Sequence, residues 1–309
     1  MLAWFKTGRL IISRSNFRLC TTLRSEQSRE IFKFTKNLRA IETRLPSRIQ
    51  NRLNFGGIAF AVLTISMSQG DSIKGVSFDV LKEADKLFDE SKFEELLEFL
   101  QKQPNWESNE QVLWRVARCE YQLAKKSEKD KNKYAELVNK AYDHVTKSLE
   151  LDDKNGLAHK WAAILLDATS TLKGTKERVL QVLNVRNHME KAVEYAPTDA
   201  TSYYLLGEWH FSCYQVSWWE RKLANIAFGK LPDADMEVAL KMFEKAEEVE
   251  KDFYSKNKLM LAKTLLELKR DKERAINLLD EIVAKYSSSD KWDDKDAVEE
   301  ANKLLKQHK

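Results

Sequence analysis

From Asp79 to the end of the chain, apolar residues recur at helical spacing, and small residues recur at fixed places among them. The pattern restarts after each turn signal, with a period of about 34 residues. The chain has only nine glycines and four prolines, too few for the many tight turns of a β-sandwich or β-barrel. The sequence therefore predicts an all-α fold of stacked helical hairpins over residues 79–309.

The clearest unit lies on either side of Pro197. The segment before this proline has the spacing of the second helix of a hairpin, and the segment after it has the W-x2-L-G-x2-Y spacing of a first helix. The residues that carry the two spacings are Val185, Met189 and Ala192, then Tyr203, Leu206, Gly207 and His210. This unit resembles a tetratricopeptide repeat, which implies a superhelix of helix pairs. Residues 297–306 have the pattern of a closing helix.

The amino-terminal segment, residues 1–54, is basic. Residues 1–55 contain twelve lysines and arginines and three acids, a net charge of +9, whereas residues 56–309 contain 40 basic and 45 acidic residues, a net charge of −5. No acid precedes Glu26, a composition typical of a mitochondrial targeting segment. The alternative is a largely unstructured basic tail that binds acidic surfaces.

Residues 55–67 form an uncharged apolar stretch. As a helix it would be about 20 Å long, against about 30 Å for the hydrocarbon core of a bilayer. With Arg52 reaching toward the lipid headgroups, the stretch could act as a weak membrane tether. The alternative is the apolar part of a cleaved or disordered segment. Residues 68–78, which include Gly70 and Gly75, are predicted to form a linker.

An insertion over residues 216–232 separates the two helices of one repeat. It places aromatic and basic side chains close together, and the candidate contact residues are Trp218, Trp219, Arg221, Lys222 and Phe228. One interpretation is that both tryptophans pack across the top of the hairpin. The other is a contact with a partner protein or a membrane surface, where tryptophan buries its ring and a cation meets phosphate or carboxylate.

A second candidate surface is the groove that the first helices of a tetratricopeptide stack usually line. The residue one position beyond the opening aromatic position of four successive units is Arg115, Lys160, Tyr204 and Lys258. Three cations and one phenol would then face an acidic peptide or an anionic head group. The alternative is that these basic side chains only extend along the protein surface.

The sequence indicates no catalytic centre. It has no GxSxG, HExxH, dinucleotide-binding or Walker motif, and its five histidines have no metal-binding spacing. His159 and His210 are interpreted as packed rings. The three cysteines form no disulfide framework. We therefore expect a non-catalytic protein with no cofactor or metal site, and the charge of −5 argues against a nucleic-acid partner.

Beyond the repeat spacing, the sequence resembles the regulator of microtubule dynamics family over about residues 79–309. The matching segments include LWRVAR, AHKWAAI and SWWERKLANIAFGKLP. The resemblance implies a helical-repeat protein associated with microtubules and spindle poles, or with mitochondria and organelle contacts. We therefore expect a protein-binding adaptor at mitochondria or on microtubules. Two alternatives remain: direct microtubule association at the spindle, and an anionic-lipid-binding module.

Overall fold

A computed structural model of the chain describes residues 72–73, 76–228 and 232–309. The predictions for the basic arm (residues 1–54) and for the apolar stretch (residues 55–67) concern residues outside this described part. Strand β1 (Ser72–Ile73) pairs antiparallel with strand β2 (Val76–Ser77). The end of the predicted linker is therefore a short β-ladder.

The described residues otherwise form α-helices, with one 3₁₀ turn at Trp106–Ser108. Among these helices, none combines the length and the hydropathy needed to cross a membrane. The helices are α1 (Phe78–Asp89), α2 (Phe93–Gln101), α3 (Glu110–Lys126), α4 (Lys131–Leu151), α5 (Gly156–Lys173), α6 (Thr175–Tyr195), α7 (Ala200–Tyr214), α8 (Trp218–Phe228), α9 (Met236–Val249), α10 (Ser255–Glu267), α11 (Lys272–Tyr286) and α12 (Trp292–His308).

Short polar side chains fix where most of these helices begin. In each case an Asp, Asn or Ser side chain accepts a hydrogen bond from a backbone N–H of the first turn, which satisfies a donor that the helix itself leaves unpaired. These capping residues are Ser77, Asn109, Asp130, Asn155, Asp199, Asp235 and Asp271. The caps lie at the turn signals that separate the apolar periods in the sequence.

Neighbouring helices pack as five hairpins: α1 with α2, α3 with α4, α5 with α6, α7 with α9, and α10 with α11. The short loops within most pairs make the helices antiparallel. Each hairpin also packs on the next one, and α12 covers the last apolar face with Ala297, Ala301 and Leu305. For the described residues, the predicted all-α hairpin fold is confirmed.

Two glycines lie where neighbouring elements leave no room for a side chain. A Cβ atom on Gly207 would lie 2.7 Å from Cε1 of Phe243, so the absence of a side chain lets α7 approach α9. A Cβ atom on Gly156 would lie 2.5 Å from the backbone nitrogen of Ala196, where α6 ends. Gly207 therefore has the packing role that the repeat pattern predicts.

Candidate partner-binding surfaces

Arg115, the first predicted groove residue, is buried in an ion pair. Its Nη2 and Nε atoms donate hydrogen bonds of 2.8 and 3.0 Å to the two carboxylate oxygens of Asp85 on α1. Arg118 also donates to Asp85. Burial alone would raise the pKa of the Asp85 carboxyl, but the two guanidinium groups lower it below its usual value. Asp85 therefore joins the first two hairpins.

The two predicted groove lysines are also ion-paired. Lys160 Nζ lies 2.7 Å from Oδ1 of Asp199, the residue that caps α7. Lys258 is buried, and its Nζ contacts Asp252 and lies 2.7 Å from Oε2 of Glu281. Each ammonium group thus already has an acidic partner within the fold.

Tyr204, the fourth predicted groove residue, is 1% exposed. Its ring lies 6.1 Å from the ring of Phe243 and 5.1 Å from that of Tyr254. The four residues therefore do not form the exposed basic strip that was expected, because ion pairing and packing hold them inside the fold. Direct contact between any of them and a partner stays a prediction.

The inner face is defined here as the surface formed by the first helices α1, α3, α5, α7 and α10 together with α12. Near its start, the half-buried ring of Trp161 makes edge contacts with the rings of Phe88 and Tyr121, at centroid distances of 6.5 and 6.2 Å. The guanidinium of Arg118 lies 4.1 Å from the centroid of Phe88. This part of the inner face is therefore aromatic, with a cation stacked on it.

Further along the inner face lies a polar group that we call the Glu208 cluster: Tyr204, Glu208, Tyr254, Lys256 and Asp293. Oε2 of Glu208 and Oδ1 of Asp293 are buried and accept no hydrogen bond from a described residue. Burial is the main cause that raises the pKa of Glu208 to about 7. Lys256 Nζ lies 3.2 Å from Oδ1 of Asp293, an ion-pair contact without hydrogen-bond geometry. Tyr204 hydrogen-bonds Glu208 and Lys256 pairs with Asp293, but these two carboxylate oxygens accept no hydrogen bond from the described residues.

The sequence analysis missed Glu208 as a candidate site residue. Its signal in the sequence is a single carboxylate among apolar residues, one helical turn after Tyr204. Asp293 could not be linked to it, because the two residues are on helices α7 and α12. Packing of both α7 and α12 against α10 places the two carboxylates beside Tyr254.

The insertion forms a helix of its own, α8, which packs against α6. Trp218 is 75% exposed and Ile226 is 65% exposed, and the Nζ atom of Lys222 lies 5.1 Å from the centroid of the Trp218 ring. Because these residues are four positions apart, they share one side of α8, called here the outer face of α8. The exposure of Trp218 contradicts the expectation that this ring packs across the hairpin.

The other predicted insertion residues divide into two groups. Arg221 points back into the fold, where it donates hydrogen bonds of 2.8 Å to the carbonyl oxygen of Cys213 and of 3.0 Å to that of Pro232. Trp219 and Phe228 belong to α8, but their side chains lie outside the described part of the structure. A partner or membrane contact through these residues stays a prediction.

Comparison with known proteins identifies the family of this chain. A family model, Regulator of microtubule dynamics protein 1-3, matches residues 80–309. The chain belongs to the regulator of microtubule dynamics family. Regulator of microtubule dynamics protein 1 of Mus musculus is 35% identical over 227 residues, which are 74% of this chain and 73% of the mouse protein. Regulator of microtubule dynamics protein 3 of Xenopus laevis is 32% identical over 163 residues, 52% of this chain and 34% of the frog protein.

Solved structures with similar folds include a thermophilic TPR protein of Thermus thermophilus, with a TM-score of 0.48 and 12% identity over 74% of this chain and 97% of that one. MamA of Desulfovibrio magneticus has a TM-score of 0.41 and 17% identity, over 69% of this chain and 96% of its own. In this regulator of microtubule dynamics family member, the matched residues begin within α1 and cover all the later hairpins.

Proposed function

We propose that this protein is a non-catalytic adaptor that binds a segment of a partner protein along its inner face. The observation that carries the proposal is the pair of buried acceptors, Glu208 Oε2 and Asp293 Oδ1, which receive no hydrogen bond from a described residue. A buried acceptor without a donor costs about 1–3 kcal/mol, and for Asp293 Oδ1 the Lys256 ammonium at 3.2 Å offsets part of this cost. A partner segment that brings N–H groups to these oxygens would recover part of that free energy.

Membership of the regulator of microtubule dynamics family supports tubulin or a microtubule-bound protein as the partner. The basic arm (residues 1–54) supports a mitochondrial address for the same chain. Because the tails of tubulin are acidic and residues 56–309 carry a net charge of −5, a general electrostatic attraction between this domain and microtubules is unfavourable. The proposed contact therefore depends on specific groups of the inner face.

Cosedimentation of the full chain with stabilised microtubules tests the proposal. The informative variant combines Glu208→Gln with Asp293→Asn, which preserves shape and removes both charges. Glu248→Gln, on second helix α9, is the control, because Glu248 lies 2.9 Å from the partly exposed Lys245 and outside the inner face. We expect the double variant to bind several-fold more weakly than the wild type and the control. Equal binding by all three proteins, or no binding by the wild type, would contradict the proposal.

A second candidate function is attachment to an anionic membrane surface through the outer face of α8. Its support is the exposure of Trp218 and Ile226 beside the cation of Lys222, a combination that suits the lipid interface. Vesicle flotation with and without phosphatidylserine tests it. Trp218→Ser should reduce flotation, whereas Trp292→Ser, at a tryptophan of α12 that is 66% exposed, should not.

A further inference from the structure

The second helix α6 has an apolar patch on its exposed side. Leu180 is 48% exposed and Leu183 is 43% exposed, and both lie in the middle of the helix. The interiors of the other second helices, α2, α4, α9 and α11, all within the described residues, have no exposed large apolar side chain. Their outer sides are polar, as in Glu136, Lys140 and Asp143 of α4. The fold therefore leaves two leucines of α6 uncovered at a place where the other hairpins present polar residues.

The two leucines belong to a longer stripe, which we call the α6 seam. Its residues follow one another at intervals of four and three, the heptad spacing at which one side of a helix faces a partner helix. All of them are exposed: Lys176, Leu180, Leu183, Asn187, Glu190 and Glu194. Because α6 is a second helix, the seam is not part of the inner face. The spacing indicates another α-helix as the occupant.

The charges of the α6 seam select the identity and direction of that helix. Lys176 lies at the amino-terminal end of the seam, and Glu190 and Glu194 lie at its carboxyl-terminal end. Two antiparallel copies of α6 would bring the basic end of each against the acidic end of the other, whereas a parallel pair would bring like charges together. Glu190 also lies 3.2 Å from Arg186 on its own helix, a surface contact that contributes little by itself. The seam is therefore complementary to a second copy of itself.

We propose that two copies of this chain associate through their α6 seams as an antiparallel, two-fold symmetric helix pair. In the register that alternates the seam positions of the two helices, Leu180 of each copy packs on Leu183 of the other. Lys176 then lies beside Asn187 and within reach of Glu190 of the other copy. Four leucines form a small apolar contact, well below the extent of an obligate interface, so the dimer dissociates on dilution.

The pairing gives the proposed adaptor two inner faces. Since α6 contributes to neither of them, both stay open in the dimer. Two linked binding sites raise the avidity for a partner that repeats along a filament, and they can also join two filaments. This consequence rests on the proposed function, whereas the pairing itself does not.

Sedimentation velocity of the full chain at about 1–100 μM tests the pairing, because weak interfaces associate over this range. We expect the 36.0 kDa chain to shift toward twice its mass as the concentration rises. Leu183→Glu should weaken the dimer by about tenfold or more, because it places two charges in the apolar centre of the pair. Leu151→Glu is the matched control, at a leucine of α4 that is 44% exposed, and should leave the dimer unchanged.

A charge exchange tests the antiparallel direction without changing an apolar contact. Lys176→Glu and Glu190→Lys should each weaken self-association several-fold, because each substitution puts like charges against each other. An equimolar mixture of the two variants should associate again, since each new glutamate then faces a new lysine. A parallel pair would be weakened by neither substitution alone.

Three results would overturn the inference: a wild type that stays monomeric over the whole range, a dimer that Leu183→Glu leaves intact, or a mixture of charge variants that does not recover association. Microtubule cosedimentation separates the pairing from the proposed function. A chain that dimerises but does not bind microtubules would keep the pairing and contradict the adaptor proposal. A monomeric wild type that binds microtubules would do the reverse.

Discussion

The Nδ1 atoms of His159 and His188 lie 2.8 Å apart and join the two helices of the α5/α6 hairpin. Nε2 of His159 lies 2.8 Å from the carbonyl oxygen of Asp153 and must donate to it. Nδ1 of a neutral His159 is then the acceptor, and His188 supplies the proton between the rings. The hydrogen bond thus requires a neutral His159. His159 is a buried ring, as predicted. Its two hydrogen bonds were not predicted.

This histidine pair predicts lower stability in acid. Burial is the main cause that lowers the pKa of both histidines, that of His188 to about 4. Between pH 6.5 and about 4 the unfolded chain binds more protons than the folded one, so this contribution to the unfolding free energy decreases as the pH falls. His188→Gln should flatten the dependence of the melting temperature on pH between 5 and 7. His308→Gln, at the end of α12, should leave it unchanged, and an equal effect of both would contradict the assignment.

The buried carboxyl of Glu208 predicts the opposite pH dependence of stability. Burial raises its pKa from 4.5 to about 7, so the folded chain holds a proton that the unfolded chain releases, and this contribution to stability falls as pH rises from 4.5 to 7. Glu208→Gln should stabilise the protein by about 1–3 kcal/mol at pH 8 and by much less at pH 5. Chemical denaturation at the two pH values measures the difference. A Glu208→Gln effect that does not depend on pH would show that the carboxyl titrates normally.

The contact between Gly207 and Phe243 predicts that a larger residue at position 207 lowers the unfolding free energy. Gly207→Ala should lower the unfolding free energy by about 1–3 kcal/mol, because the new methyl group overlaps the buried ring of Phe243. In the Phe243→Leu background the cost should shrink, since the overlap disappears. A double-mutant cycle measured by denaturation gives the coupling, and additive effects would rule out the contact as the cause.

Gly156 provides a comparison with a stiffer neighbour. A Cβ atom there meets the backbone nitrogen of Ala196 rather than a side chain, and backbone atoms move less readily than a ring. Gly156→Ala should therefore destabilise the protein more than Gly207→Ala in the same denaturation assay. The reverse order would show that the end of α6 can shift away from α5.

Asp85 is the shared acid of the buried Arg115 and the partly buried Arg118. Asp85→Asn should lower the unfolding free energy by about 2–3 kcal/mol, below the range for a fully buried pair because Asp85 is partly exposed. The charge-matched control is Glu83→Gln on the same helix, where the partner Lys86 is exposed. Similar denaturation midpoints for the two variants would contradict the assigned role.

Local spacing was sufficient to predict the hairpins, because Gly207, Ala239 and the residues that pack around them repeat at intervals visible along the chain. Local spacing could not predict that the groove residues Arg115, Lys160 and Lys258 are ion-paired within the fold. Asp85 lies 30 residues from Arg115 and Glu281 lies 23 residues from Lys258, so only the packed structure shows that these cations are paired. The acidic nature of the Glu208 cluster likewise arises from helices far apart in sequence.

The hydrogen bonds of Arg221 have a consequence for which positions of the insertion can change. By holding the end of α7 next to Pro232, this single side chain fixes the place where the chain leaves and re-enters the α7/α9 hairpin. As long as Arg221 is kept, the exposed positions of this segment can change their chemistry while the hairpin beneath them keeps its shape. New contacts could therefore evolve on the outer face of α8, around Trp218 and Ile226, at little cost to the fold.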